Sequence, residues 1–237
     1  MTDPGPEGDF AWDGYNWSAR SWSGGPHYNG SFAPANVSAP DADGRVVLAL
    51  TNPTGKAPVA AEFQSTRRGF GYGTFRVVVE RNLQSLQPEV VWGGMFTYDP
   101  DALPGHNEID VCEASAWGGG AGPGKPQPVR QGHGYWFDAT KPAGEGSTVV
   151  TFNCTPDPVL THTLLWQPGR LTYETFVGEG DSGLLLKRTV LEGATVPVPA
   201  REAVHFNLWV TGGGGKPDRV RPEQVAVRGF SFTPWVA

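Results

Sequence analysis

The chain is poor in sulfur, in charge and in long apolar runs. Of its 237 residues only two are Cys and two are Met. Cys112 and Cys154 offer neither metal-ligand spacing nor a disulfide framework. Two buried thiols are expected, with one bridge between neighbouring strands as the alternative. Charged residues make up 18%, and the 18 Lys and Arg are scattered within a net charge of −6. No basic stripe exists, which argues against nucleic acid; the balance suits a neutral ligand that needs no electrostatic steering. No run of about eighteen apolar residues occurs, so no membrane span is expected. Met1 to Gly8 is acidic and rich in Pro and Gly, without the basic and apolar regions of a signal peptide. A cytosolic chain and a chain whose leader has been removed both fit. Amphipathic helices of ten residues or more, internal repeats and linkers are all missing.

What is abundant is Gly (33), Pro (22) and Trp (9). Turn signals separate about a dozen short alternating segments. They include Arg45 to Leu50, Ala60 to Ser65, Thr74 to Glu80, Val90 to Tyr98 and Val129 to Phe137. Ser147 to Asn153, Thr161 to Trp166, Arg170 to Val177, Leu184 to Leu191, Ala203 to Thr211 and Val225 to Thr233 follow. Such spacing predicts an all-β fold, an antiparallel β-sandwich or jelly roll. Residues 1–9 read as a flexible tail and 10–237 as one domain. Phe10 to Phe32 carries Trp12, Tyr15, Trp17, Trp22, Tyr28 and Phe32 among Gly and Ser, and reads as loop. Its rings either cap one end of the core or line a groove that stacks on sugars. Gly93-Gly94 signals a bulge or a close backbone approach.

The densest chemistry lies in His106 to Trp117, where Glu108, Asp110 and Glu113 place three carboxylates within six residues. On a strand Glu108 and Asp110 share one face, and Ile109 and Val111 take the other. Glu113 is out of phase. One extra residue near Val111–Cys112, a bulge, returns it to the side of the other two. Crowded carboxylates retain a proton near neutral pH. Glycoside hydrolysis uses such a pair, one carboxylate attacking and one protonated carboxyl donating to the leaving oxygen. The competing reading is a strand whose acids merely face solvent.

Several ordered segments resemble glycoside hydrolase family 16, chiefly its bacterial lichenase-like members. They are Ala35-Asn36-Val37 with Asp43-Gly44-Arg45-Val46, Ala61 to Thr66, Gly71 to Phe75, Met95 to Tyr98, Glu108-Ile109-Asp110, Thr161 to Gly169 and Asn207 to Val210. The resemblance implies a concanavalin A-like jelly roll with a substrate cleft across its concave face. It implies retaining, endo-acting hydrolysis of a neutral β-1,3- or mixed-linkage β-1,3-1,4-glucan by a monomer in an extracellular setting, without a cofactor. Carried onto matching positions, Glu108 resembles the nucleophile, Glu113 the general acid/base, and Asp110 the group that tunes them. Substrate contacts are expected at Glu62, Gln64, Tyr98, Trp117, His133, Trp136, Asn207 and Trp209. A glycan-binding module and a transglycosylase using the same residues are the alternatives.

This chain departs from the lichenase pattern in three places. Cys112 stands where an unbulged motif has its second Glu, which is the laminarinase-like spacing. His106-Asn107 replaces a common Trp-Asp, and Gln64 stands where many members have Arg. Some members hold a structural calcium through an Asp near the last strand; Val227-Arg228-Gly229 supplies no such ligand, so no metal site is assigned.

Overall fold

The computed structural model describes residues 3–24, 31–116, 155–211 and 217–237, with the backbone of residues 131–136 and 148–153. Alternating side chains fold these segments into two antiparallel sheets. The strands of the first are β1 (Phe10–Trp12), β2 (Tyr15–Ala19), β4 (Ala61–Ser65), β6 (Val90–Tyr98), β7 (Ile109–Ser115), β8 (Gln131–Trp136), β9 (Thr148–Asn153) and β13 (Ala203–Val210). They run in the order β1-β2-β4-β13-β6-β7-β8-β9. The second sheet holds β3 (Val46–Leu50), β5 (Gly73–Glu80), β10 (Val159–Gln167), β11 (Arg170–Val177), β12 (Leu185–Glu192) and β14 (Glu223–Pro234). Its order is β12-β11-β10-β5-β14-β3. This is the expected all-β jelly-roll sandwich. Among the described residues no helix is long and apolar enough to cross a membrane.

The sheets meet through aromatic side chains. Phe63 of β4 stacks on Phe206 of β13 at 4.9 Å and 19°. Trp17 lies edge-on to Phe63 at 5.2 Å and to Phe230 of the opposite sheet at 5.4 Å. Each such pair adds about 0.5–1.5 kcal/mol beyond the area it buries. His162, fully covered, pairs through Nδ1 with Thr175 Oγ1 at 2.9 Å. Burial holds its imidazole down at about 3, so it is a neutral part of the core.

Two expectations about the N-terminal region are corrected. The stretch from Phe10 is a hairpin, β1 paired with β2, instead of a loop. Trp12, Tyr15 and Trp17 alternate with Ala11, Asn16 and Ser18, which is a strand pattern. Asp13 and Gly14 between them have φ of 50° and 80°, the left-handed pair a two-residue hairpin loop requires. Trp12, Tyr15, Trp17 and Phe32 are buried, so these four rings belong to the core and not to a groove. Residues 3–9 are also no free tail. Asn16 N–H donates to Pro4 O at 2.9 Å, Asp9 N–H to Trp17 O at 2.7 Å, and Arg67 Nη1 to Asp3 O at 3.3 Å. Unpaired backbone groups along β2 and beyond β4 give this segment its partners.

The hairpin tip also ties the two sheets together. Asp13 Oδ2 accepts the Phe230 N–H at 2.6 Å, beside a register shift in β14 between Val227 and Gly229. Burial pushes the Asp13 carboxyl up, and the Phe230 N–H draws it partly back.

Candidate active site

The acidic strand β7 is set by its entry. His106 and Asn107 both adopt left-handed backbone, with φ of 57° and 49°. Thr97 of the neighbouring strand holds the turn from both sides. Its Oγ1 donates to Asn107 O at 2.7 Å and accepts the Ile109 N–H at 3.2 Å. Asn107 Nδ2 donates to Val198 O at 2.8 Å. Glu108 therefore leaves a fixed turn, directly ahead of the first residue of β7.

Along β7 the pairing shows where each acid goes. Ile109 and Val111 lie opposite Thr97 and Met95 and belong to the core; Asp110 lies opposite Phe96. Between Val111 and Glu113 the register with β8 shifts by one residue, and Cys112 takes φ of 57°. That is a bulge. After it, Ala114 opposes Trp92 on the core side and Ser115 opposes Val91 on the other. Glu113 has the parity of Ser115, so it returns to the face of Asp110. Asp110 and Glu113 are 3% and 7% exposed, and Glu108 is half-buried.

Strand β6 carries a matching irregularity. Its register with β13 shifts between Asn207 and Leu208, where Gly93 is the additional residue. Gly94 has φ of 69°, and a Cβ there would stand 2.2 Å from Val111 O. A Cβ on Gly93 would stand 1.7 Å from Asn207 Oδ1 and 3.1 Å from Trp209 Nε1. Both readings of the Gly-Gly pair are thus realised, a bulge and a close approach. The space a side chain would take at Gly93 is occupied by the Asn207 amide, and at Gly94 by the backbone of the β7 bulge.

The register also builds a transverse polar row. Gln64, His205, Phe96 and Asp110 follow one another across β4, β13, β6 and β7. Beside it, Glu62 faces Asn207. Glu62 is 4% exposed and surrounded by donors. Arg20 Nη1 is 2.8 Å from its Oε2, Asn207 Nδ2 is 3.4 Å from the same oxygen, and His205 Nδ1 is 3.3 Å from Oε1. Burial pushes this carboxyl up, but His205 and Arg20 together outweigh it and hold Glu62 below the usual range. The His205 ring stacks on Phe96 at 4.8 Å and 24°. Tyr98 stacks on His106 at 4.9 Å, and burial followed by the charge of Glu108 pushes its hydroxyl up.

Glu108 is the perturbed acid of the site. Burial, and then the negative charge of Glu62, push its carboxyl up to about 7. At neutral pH it exchanges readily between carboxyl and carboxylate, the range useful for proton transfer and for nucleophilic attack.

The structure brings Glu62, Gln64, Tyr98, Glu108, Asp110, Glu113 and Asn207 to one side of the eight-stranded sheet. Trp209 has the parity of Asn207 but is only 6% exposed and so presents little ring surface. Trp117 and Cys154 lie outside the described residues, as do the side chains of His133 and Trp136. The backbone pairs His133 with Glu113 and Trp136 with Ile109. Sequence reasoning missed Arg20, His205 and Phe96. Arg20 lay in a stretch read as loop. His205 and Phe96 are each two positions from a residue that was singled out, Asn207 and Tyr98, and the period of two marks each as sharing its neighbour's face. Among the described residues no cluster of three or more His, Cys, Asp or Glu side chains is arranged to hold a metal ion.

The architecture is that of the jelly-roll β-glucanases: two antiparallel sheets, with an acidic strand inside one of them. No family model matches the chain, and no curated protein matches it. Solved structures do. A β-glucanase of Bacillus licheniformis is similar with a TM-score of 0.64 at 19% identity, over 92% of this chain and 92% of that one. A glycoside hydrolase family 16 endo-glucanase from Bacteroides ovatus gives 0.66 at 14% identity, over 92% and 94%. An immunostimulatory antigen and pseudo β-1,3-glucanase of Mycobacterium tuberculosis gives 0.63 at 17%, over 90% and 88%. At these identities the likeness establishes the fold, and the pseudo-enzyme among the three means that fold alone does not fix hydrolysis.

Proposed function

We propose that the chain is a retaining, endo-acting hydrolase of β-1,3- or mixed-linkage β-1,3-1,4-glucan. The observation that carries this reading is the bulge at Cys112, because it returns Glu113 to the face of Glu108 and Asp110. In the first step Glu108, ionised, attacks the anomeric carbon while Glu113, protonated, gives its proton to the departing glycosidic oxygen. A glycosyl-enzyme ester forms on Glu108. Glu113, now a carboxylate, takes a proton from water, whose oxygen attacks the same carbon and releases Glu108. Asp110 lies between the two in sequence and on their face, so its charge bears on both protonation states. Glu62, Asn207 and the half-buried Gln64 and Tyr98 supply hydroxyl-binding groups on the same side of the sheet. Monomeric action by a single domain over residues 10–237, in an extracellular setting, completes this reading.

A chain with only 18% charged residues and no basic stripe fits an uncharged polysaccharide, and three neighbouring carboxylates on one face serve a binding module poorly. The test is a reducing-sugar assay on laminarin, barley mixed-linkage glucan and agarose with wild type, Glu108→Gln and Glu113→Gln. Hydrolysis of a glucan by wild type and its loss in both variants, with an unchanged fold, supports the assignment. Near-full activity in either variant, or binding without new reducing ends, defeats it. Product masses longer than the starting chains identify transglycosylation.

A further inference from the structure

We infer that Glu202 is a positioning residue: from the side of the sheet opposite the cleft it fixes the turn at Asn107, and so sets where the Glu108 carboxyl enters the cleft. What Glu108 does there rests on the glucanase reading; its placement does not. Glu202 directly precedes β13 and shares the parity of Val204 and Phe206, which are core residues. Its side chain is wholly buried, at 0% exposure. Ala200 N–H donates to its Oε2 at 2.7 Å, while its Oε1 is enclosed without a hydrogen-bond partner. Enclosing a polar oxygen in this way costs about 1–3 kcal/mol. Packing alone is better served by a leucine, so the carboxyl answers another need.

The ends of three strands converge here. Ala203 pairs with Tyr98, which sets Glu202 beside Asp99 at the end of β6. Asp99 is itself buried, and its N–H donates to His106 O at 2.7 Å, closing the turn that carries Asn107. The Asn107 amide reaches the other way, to Val198 O. Segment 197–202 is anchored at both ends, because Pro197 O accepts Trp166 Nε1 at 2.9 Å and Glu202 O accepts the Gly69 N–H at 2.9 Å. Burial pushes the Glu202 carboxyl up. The N–H groups of Ala200 and of Glu202 itself, and then the Asn107 amide, draw it partly back, and the charge of Asp99 adds to the rise. Asn107 thus stands between Val198 O and the Glu202 carboxyl, and Glu108 is the next residue along. Left-handed backbone at a residue other than glycine persists only where its surroundings hold it. Misplacing an attacking group by about 1 Å costs on the order of a hundredfold in rate.

The test is steady-state kinetics on barley mixed-linkage glucan together with an NMR pH titration of the Glu108 carboxyl, identified as the resonance that Glu108→Gln removes. Glu202→Leu is expected to lower kcat about tenfold or more while KM stays within about twofold. It should also bring the Glu108 midpoint down from about 7 toward 4.5, because a loosened turn lets water reach the carboxyl. Glu202→Gln has the shape of the protonated acid and should recover most of kcat and the midpoint. Asn107→Gly accepts the same backbone angle and removes the amide; adding Glu202→Leu to it should cost nothing further. Unchanged kcat and midpoint in Glu202→Leu overturn the proposal, and so do losses that add in the double variant. Glu202→Asp, one carbon shorter, serves the same comparison if the leucine form does not fold. If wild type cleaves no glucan, the glucanase reading falls by itself, and the midpoints still decide whether Glu202 places Glu108.

Discussion

Glu108 should destabilise the protein that carries it, and by an amount that depends on pH. Its carboxyl titrates at an ordinary 4.5 in the unfolded chain and at about 7 in the folded one. Between those values the unfolded state has released its proton and the native state has not. The native state binds more protons, so stability falls as pH rises through the window and levels off above it. The gap of about 2.5 pH units, at about 1.4 kcal/mol each, corresponds to about 3 kcal/mol. Glu108→Gln removes the titration and keeps the shape of the protonated side chain. Wild type and variant, compared by thermal unfolding from pH 4 to pH 8, should differ by an amount that grows with pH. For a chain of this length the growth should reach roughly 6–12 °C in Tm by pH 8. Groups common to both proteins cancel in the difference. A difference that stays flat across the window, or that shrinks as pH rises, would refute both the burial of Glu108 and its repulsion by Glu62.

Other expectations concern the same face. If Glu108 must be ionised to attack, the acid limb of kcat/KM lies near pH 7; Glu62→Gln removes a negative neighbour and should move that limb to lower pH. A limb that stays put or moves upward contradicts the coupling. Cys112→Val sets a β-branched residue at φ of 57° and should lower stability by about 2 kcal/mol relative to Cys112→Ala in a denaturant titration. Equal stability of the two would mean that the bulge is under no backbone constraint. Gly93→Ala drives a Cβ into Asn207 Oδ1 and should raise KM on glucan as well as lower Tm; unaltered KM would remove Asn207 from the binding face.

The sandwich was legible because strands announce themselves by a period of two, as β11 and β13 do, and by the turn residues between them. The bulge was legible for the same reason: three acids on one strand can share a face only if one residue is stepped over. Arg20 was not, because its role depends on β2 lying beside β4, and a pairing between strands so far apart in sequence leaves no local trace. The Phe10–Phe32 stretch misled through its glycines and serines, which masked an Asp-Gly hairpin turn. Trp209 illustrates a further limit. Parity assigns its face correctly, yet only three-dimensional packing reveals that the ring is covered.

The place of β14 has a consequence for how the molecule is made. It lies between β5 and β3, and pairs Glu223 with Leu50, 173 positions earlier. A nascent chain on the ribosome therefore carries β3 and β5 without their shared partner until all the intervening strands have been synthesised. Contacts of such long range slow folding, and edges left open are templates for pairing with other chains. Production at high expression rates should yield aggregates that slower translation or lower temperature relieves, and a stop codon ahead of residue 223 should leave nothing that folds.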